Sequence, residues 1–154
     1  MPGGAQFGNL IISGSGTKTL NAAETVRDTL TLESGTFASG TSLTMGTNAT
    51  VLRTDGVMTG TIQGANAYNI AYEGTTTTSQ APEWSGSGDK SLIVNFDASE
   101  TLTLHDNLTA QGDLTLTEGT LADAGFTLTV GGDVSNSSLH TGTGKIYLAG
   151  SSSQ

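Results

Sequence analysis

The chain has 154 residues, of which 34% are hydrophobic, 5% aromatic and only 12% charged, with 22 glycines and 2 prolines. Its 14 acids against 5 bases give a net charge of -9, and Lys18, Arg27, Arg53, Lys90 and Lys145 are scattered, so no nucleic-acid partner is expected: phosphate binding draws on clustered cations. Cysteine is absent, which removes disulfides and thiolate metal sites, and apolar runs such as Leu10-Ile11-Ile12 fall far short of the ~20 residues that span a bilayer, so no membrane span is expected.

In chain order, Met1-Pro2-Gly3-Gly4 offers neither the basic segment nor the apolar region of a secretory signal, so an exported chain would have lost its signal or be an excerpt. Residues 8–20 read as a strand (Leu10-Ile11-Ile12), a Gly/Ser turn and the start of a second strand. Thr29–Phe37 then alternates Leu30 and Leu32 with polar residues at period two before Gly35 turns the chain. Leu43-Thr44-Met45 repeats the alternation. Residues 56–90 are less regular: Tyr68, Ile70 and Tyr72 alternate within one expected strand over 62–72. Thr75–Gly88, punctuated by Pro82, Gly86 and Gly88, reads as a long excursion from the regular structure.

The earlier pattern then returns. Leu92–Leu102 matches Leu10–Leu20 without a gap at a shift of 82 residues, Asp113–Leu121 matches Thr29–Phe37 at 84, and Leu128-Thr129-Val130 matches Leu43–Met45 at 85. Gly144–Gln154 lines up with Gly8–Lys18 and begins a third copy. The expectation is a single domain over 1–154 built from 82–85-residue repeats (8–90, 91–143 and a partial third from 144). It would be part of a longer array, or a subunit whose open ends meet neighbours, since neither terminus resembles a polar cap.

No stretch keeps apolar residues at i, i+3, i+4 and i+7, so almost no helix is expected. One alternating strand cannot bury its apolar face alone, and recurrence of strand plus Gly turn argues for stacked coils of about 20–25 residues. The fold class is therefore all-β, a right-handed parallel β-helix (β-solenoid), with a β-sandwich as runner-up. The inward positions expected are Leu10, Ile12, Leu30, Leu32, Leu43, Met45, Leu92, Val94, Leu114, Leu116, Leu128, Val130, Ile146 and Leu148.

The order Asn9-Leu10-Ile11-Ile12, Thr19-Leu20, Leu30–Thr36 and Leu43–Gly46, with Gly131–Val134 and Gly142–Gly150, resembles the parallel β-helix repeats of bacterial extracellular, adhesin-like surface proteins. The resemblance implies an extracellular or cell-surface location and a structural or adhesive role, and it transfers no catalytic residue.

Residue by residue, the chemistry is sparse, and an enzyme is not expected. Thr29/Thr31, Thr101/Thr103, Thr115/Thr117 and Thr127/Thr129 flank inward leucines. They would form hydroxyl and methyl ladders of the kind found in ice-binding β-helices, although threonine is also simply a good strand residue. Polysaccharide cleavage needs two carboxylates about 5–10 Å apart. Asp97/Glu100, Asp106/Asp113 and Glu118/Asp123 lie in or beside turns, where Asp commonly bonds its own backbone. His105 and His140 have no ligand-spaced neighbours and read as surface residues. No cofactor is expected beyond weak structural calcium bound by turn acids. Tyr68, Tyr72 and Trp84 form the one aromatic cluster, either core filling or a ligand-binding surface for glycans. The functional expectation is a stalk or filament-forming subunit that stacks on itself head to tail. The alternative is a carbohydrate- or surface-binding module.

Overall fold

The computed structural model describes residues 4–79 and 82–150. The readings made on Met1–Gly3, on Gln80 and Ala81 within the 75–88 segment, and on Ser151–Gln154 of the third copy lie outside the described residues. The strands are β1 (Gln6–Ile12), β2 (Thr17–Thr19), β3 (Glu24–Leu32), β4 (Thr36–Met45), β5 (Ala49–Arg53), β6 (Val57–Gln63), β7 (Tyr68–Gly74), β8 (Thr78–Ser79), β9 (Lys90–Phe96), β10 (Thr101–Thr103), β11 (Leu108–Ala110), β12 (Leu114–Glu118), β13 (Thr120–Ala122), β14 (Thr127–Val130), β15 (Val134–Asn136), β16 (Leu139–Thr141) and β17 (Lys145–Leu148). The only helical element among the described residues is one 3-10 turn, Pro82–Trp84.

The fold is an all-β parallel solenoid. It divides into two compact units, residues 4–70 with 82–88 and residues 71–79 with 89–150. In the first, Leu10 of β1 lies beside Leu30 of β3, which lies beside Val51 of β5. Lys18, Phe37 and Met58 stack in the same way through β2, β4 and β6. In the second, Leu92, Leu114 and Val134 stack through β9, β12 and β15. Leu102, Leu121 and His140 stack through β10, β13 and β16, and Leu108, Leu128 and Ile146 through β11, β14 and β17. Every one of these pairings is parallel, which removes the β-sandwich, an antiparallel architecture.

Paired positions give the coil length directly. Leu128 to Ile146 is 18 residues, Leu92 to Leu114 is 22 and Thr78 to Leu102 is 24, so the coils run from just below the expected 20–25 to within it. The 82-residue sequence shift is therefore about four turns. Period-two alternation sends one side chain in and the next out, and the inward ones fill the core: Leu30, Leu32, Leu43, Val51 and Ile62 in the first unit, and Leu92, Val94, Leu102, Leu114, Leu116, Leu128 and Val130 in the second. Burying each such side chain contributes about 1.5–3 kcal/mol. Ile12 and Met45 are buried as expected, whereas Leu10 and Ile146 are half-buried and Leu148 is 50% exposed. These three lie in the first and last described coils, where one side of the stack has no neighbour among the described strands.

Side chains hold the turns in register. Ser34 Oγ accepts from Gly14 N (2.8 Å), Asn107 Oδ1 from Thr127 N (2.8 Å) and Asp113 Oδ1 from Asp133 N (2.9 Å), each 20 residues away. Asn66 Nδ2 donates to Met45 O (2.8 Å), 21 residues away. Each bond spans one coil.

Two sequence readings change here. The strand expected over 62–72 is two, β6 and β7, because Gly64 at φ +91° takes a conformation that ends the first. The described part of the expected excursion instead follows the coil. Thr78 and Ser79 lie beside Leu102 and Thr103, and Ser87 N donates to Gly64 O (3.1 Å). Pro82 has no N–H for a ladder, and a 3-10 turn stands where a strand would otherwise run.

Candidate functional site

The aromatic segment is the natural starting point. Tyr68 is 3% exposed and Tyr72 is fully buried, so both rings fill the core; Trp84 is half-buried. In the first unit, the Tyr68 hydroxyl donates to Glu83 O (2.6 Å), and burial pushes its pKa above the usual phenol value. In the second, Tyr72 packs against Phe96 with ring centroids 6.2 Å apart.

Glu83, on the 3-10 turn, points inward and is fully buried. Its Oε1 meets Arg53 Nη1 at 2.9 Å, and Arg53 Nε donates to Gly56 O at 3.1 Å. Arg53 occupies the inward phase set by Ala49 and Val51 on β5, so alternation places its charge in the core and Glu83 neutralises it. Beside this turn, Thr61–Gly64 and Ser85–Ser87 line a groove of about 250 Å³. Its hydroxyls already stand in for a strand ladder. Ser85 Oγ accepts from Ile62 N (2.7 Å), and Ser87 Oγ donates to Gly64 O (3.2 Å).

In the second unit, Asp123 is 1% exposed and His140, read from sequence as a surface residue, is half-buried against it, with Nε2 2.8 Å from Asp123 Oδ2. Asp123 Oδ1 accepts from Gly125 N (2.8 Å) and from Gly144 N in the next coil (2.7 Å). Gly142, at φ +122°, passes so close that a Cβ there would overlap the carboxylate. The Gly125 N–H holds the Asp123 carboxyl below the ordinary carboxylate range; burial pushes it back up, while the Gly144 N–H and His140 lower it further. A depressed folded-state pKa contributes stability that is present above the unfolded value of about 3.9 and is lost as pH falls through the folded value. Asp123→Asn is expected to be less stable at neutral pH and to show a shallower loss of stability in acid. Urea denaturation of both proteins between pH 7 and pH 2 measures this, and parallel pH profiles would contradict it.

Glu100 Oε2 accepts from Thr77 Oγ1 (2.7 Å), Asp113 accepts from the next coil, and Asp106, Glu118 and His105 are exposed. Among the described residues, no group of three or more His, Asp or Glu comes together to hold a metal. The threonine pairs occupy several different columns with mixed neighbours. Thr29 lies between Asn9 and Thr50, Thr31 between Ile11 and Leu52, Thr115 between Ile93 and Ser135, and Thr129 between Thr109 and Tyr147.

The large exposed apolar side chains are concentrated at the two ends of the described chain. Ile11 (58% exposed) lies in the first described coil, and Leu139 (56%), Tyr147 (56%) and Leu148 (50%) lie in the last, with Val57 (41%) the exception. Alternation alone marks Ile11 and Tyr147 as outward, but only the register shows that threonines stand next to them. No helix among the described residues is long and apolar enough to cross a membrane. No family model matches the chain, nor does any curated protein or solved structure compared with it, so the fold and the geometry of its residues are what bear on function.

Proposed function

We propose that the chain is a structural, adhesin-like repeat module of an extracellular or cell-surface protein, a stalk or filament-forming unit that stacks end to end through its coils. The observation that carries this reading is the division of labour among the side chains. Polar groups such as Ser34, Asn107, Asp113 and Asp123 are engaged in holding neighbouring coils in register. Four of the five large exposed apolar residues lie in the first and last described coils. Open solenoid edges template pairing with further strands, and a head-to-tail contact need not close into a ring.

Electron microscopy and sedimentation of the 154-residue chain over a concentration series test the reading. Regular rods that lengthen with concentration are the expected result. Dispersed single particles at every concentration would defeat self-stacking. A second reading, a carbohydrate- or surface-binding module, is favoured by the partial exposure of Trp84, next in sequence to the Ser85–Ser87 groove. Glycan binding by the dispersed chain that is lost in Trp84→Ala would move the assignment there.

A further inference from the structure

Within the first unit, β6 departs from the pattern of its neighbours. Gln6, Thr25, Thr44 and Gln63 form one column in which each strand pairs directly with the next. The succession stops at Gln63, because β6 pairs with β4 alone among the described strands and a 3-10 turn stands beyond it. Side chains take over the bonding there. Ser85 Oγ accepts from Ile62 N (2.7 Å) and donates to Ile62 O (3.4 Å), while Ser87 reaches Gly64 O with both its N–H (3.1 Å) and its hydroxyl (3.2 Å). A hydroxyl interposed between two backbones leaves room between them, and Gly64 and Gly86 put no side chain into that room. The space is the groove of about 250 Å³ lined by Thr61–Gly64 and Ser85–Ser87. Both walls are fixed. Ile62 is buried beneath one, and on the other the buried Gly86 donates its N–H to the Tyr68 hydroxyl, which itself donates to Glu83 O (2.6 Å). A groove already held in shape costs little ordering when a ligand enters it.

Resting on the second reading above, of the chain as a carbohydrate-binding module, we propose that this groove holds one ring of a neutral saccharide chain and that Gln63 reads its hydroxyls. Gln63 is exposed, and its Nε2 donates to Thr61 Oγ1 (2.6 Å), which orients the amide. A side-chain amide carries two donors and a carbonyl acceptor, so one N–H and Oε1 remain for a ligand. Sugar hydroxyls both donate and accept, and so do this amide and the Thr61 and Ser87 hydroxyls on either side of it. Charge selects the class of sugar. None of the lining residues is charged, so the groove has no cation for a carboxylate, sulfate or phosphate group, and the net charge of -9 repels such anions. Size selects the occupancy. The groove is smaller than the ~300–1,000 Å³ of sites that enclose a drug-sized ligand, which suits one ring of a chain whose other rings lie outside. Trp84, half-buried and next to Ser85 on the same turn, adds an aromatic ring with a polar N–H.

Titration calorimetry of the 154-residue chain tests the assignment, with cellohexaose, maltohexaose and chitohexaose as neutral probes and hexagalacturonate as the acidic one. The expected result is binding of at least one neutral probe and not of the acidic one, weakened about tenfold or more by Gln63→Ala. Gln63 is exposed, so the melting temperature of that variant should stay within a few degrees of wild type. Ser87→Ala is the second variant: it removes a hydroxyl from the opposite wall while the Ser87 N–H keeps its bond to Gly64 O, and it should weaken the same probe. Neutral-probe binding that both variants leave unchanged and that Trp84→Ala abolishes would overturn the groove as the site while leaving a carbohydrate-binding module intact. Preference for hexagalacturonate would overturn the neutral class. Binding of none of the probes at millimolar concentration would overturn both this inference and the reading on which it rests.

Discussion

Glu83→Ala is expected to destabilise the protein by about 3–5 kcal/mol, the usual cost of removing one member of a buried ion pair. Glu83 is fully buried and Arg53 is 5% exposed, and their contact is 2.9 Å. Removing the carboxylate leaves the guanidinium in the core without its counter-charge. The Arg53 Nε bond to Gly56 O satisfies one donor and does not neutralise the charge. Replacing both residues should behave differently. Arg53→Met with Glu83→Leu removes the charges together, and is expected to recover most of the loss or to exceed wild-type stability, since a packed apolar pair avoids desolvating two ions. Chemical denaturation of the wild type, both single variants and the double variant closes the cycle. A loss in the double variant equal to the sum of the losses in Arg53→Met and Glu83→Leu alone would show that the pair contributes no coupling. The Tyr68 hydroxyl bond is made to the Glu83 backbone oxygen, so side-chain truncation removes no atom of that bond.

Leu116→Asp is expected to be more disruptive still, and to act on three coils. Leu116 is 1% exposed and lies between Val94 and Asn136 in parallel register. Truncation to Ala alone costs about 2–5 kcal/mol in a packed core. A carboxylate at that point adds the desolvation of an unpaired charge, for which no cation is offered by Val94 or Asn136. Because each coil of a solenoid contacts only its neighbours, the damage should be graded along the chain rather than uniform. Hydrogen exchange is expected to show lost protection in β9, β12 and β15 first. Leu148→Asp is the matched comparison: the same inward phase on its strand, but 50% exposed at an open edge. In the dispersed chain it should change stability by no more than about 0.5 kcal/mol. Equal effects at 116 and 148 would contradict the register described for the second unit.

The linear chain is informative about what repeats. Leu30 and Leu32, Leu114 and Leu116, and Leu128 and Val130 declare their inward phase by alternation, and all six are buried. The recurrence at 82–85 residues, with variation confined to turns, already favours stacked parallel coils over a sandwich, because only stacking makes equivalent positions neighbours. Charged residues in the same phase are less legible. Arg53 follows Ala49 and Val51 at period two, which marks it as inward, yet the carboxylate that it meets in the core, Glu83, is 30 residues away in sequence. The His140 partner, Asp123, is likewise most of a coil away, and the Gly144 bond that completes that site is one full coil away.

Strand phase, turn positions and the parallel solenoid were thus determined by the sequence itself, because alternation and recurrence are properties of neighbouring letters and of their order. Which side chains meet was decided only by the tertiary structure. Vertical neighbours depend on the number of residues in each coil, and that number varies from 18 to 24 between one coil and the next. Coils of odd and even length alike keep inward residues beside inward ones, as in Leu10–Leu30 at 20 residues and Leu30–Val51 at 21, because the turns absorb the difference. The meeting of Arg53 with Glu83, the capture of His140 by Asp123 and the mixed threonine columns all follow from those coil lengths.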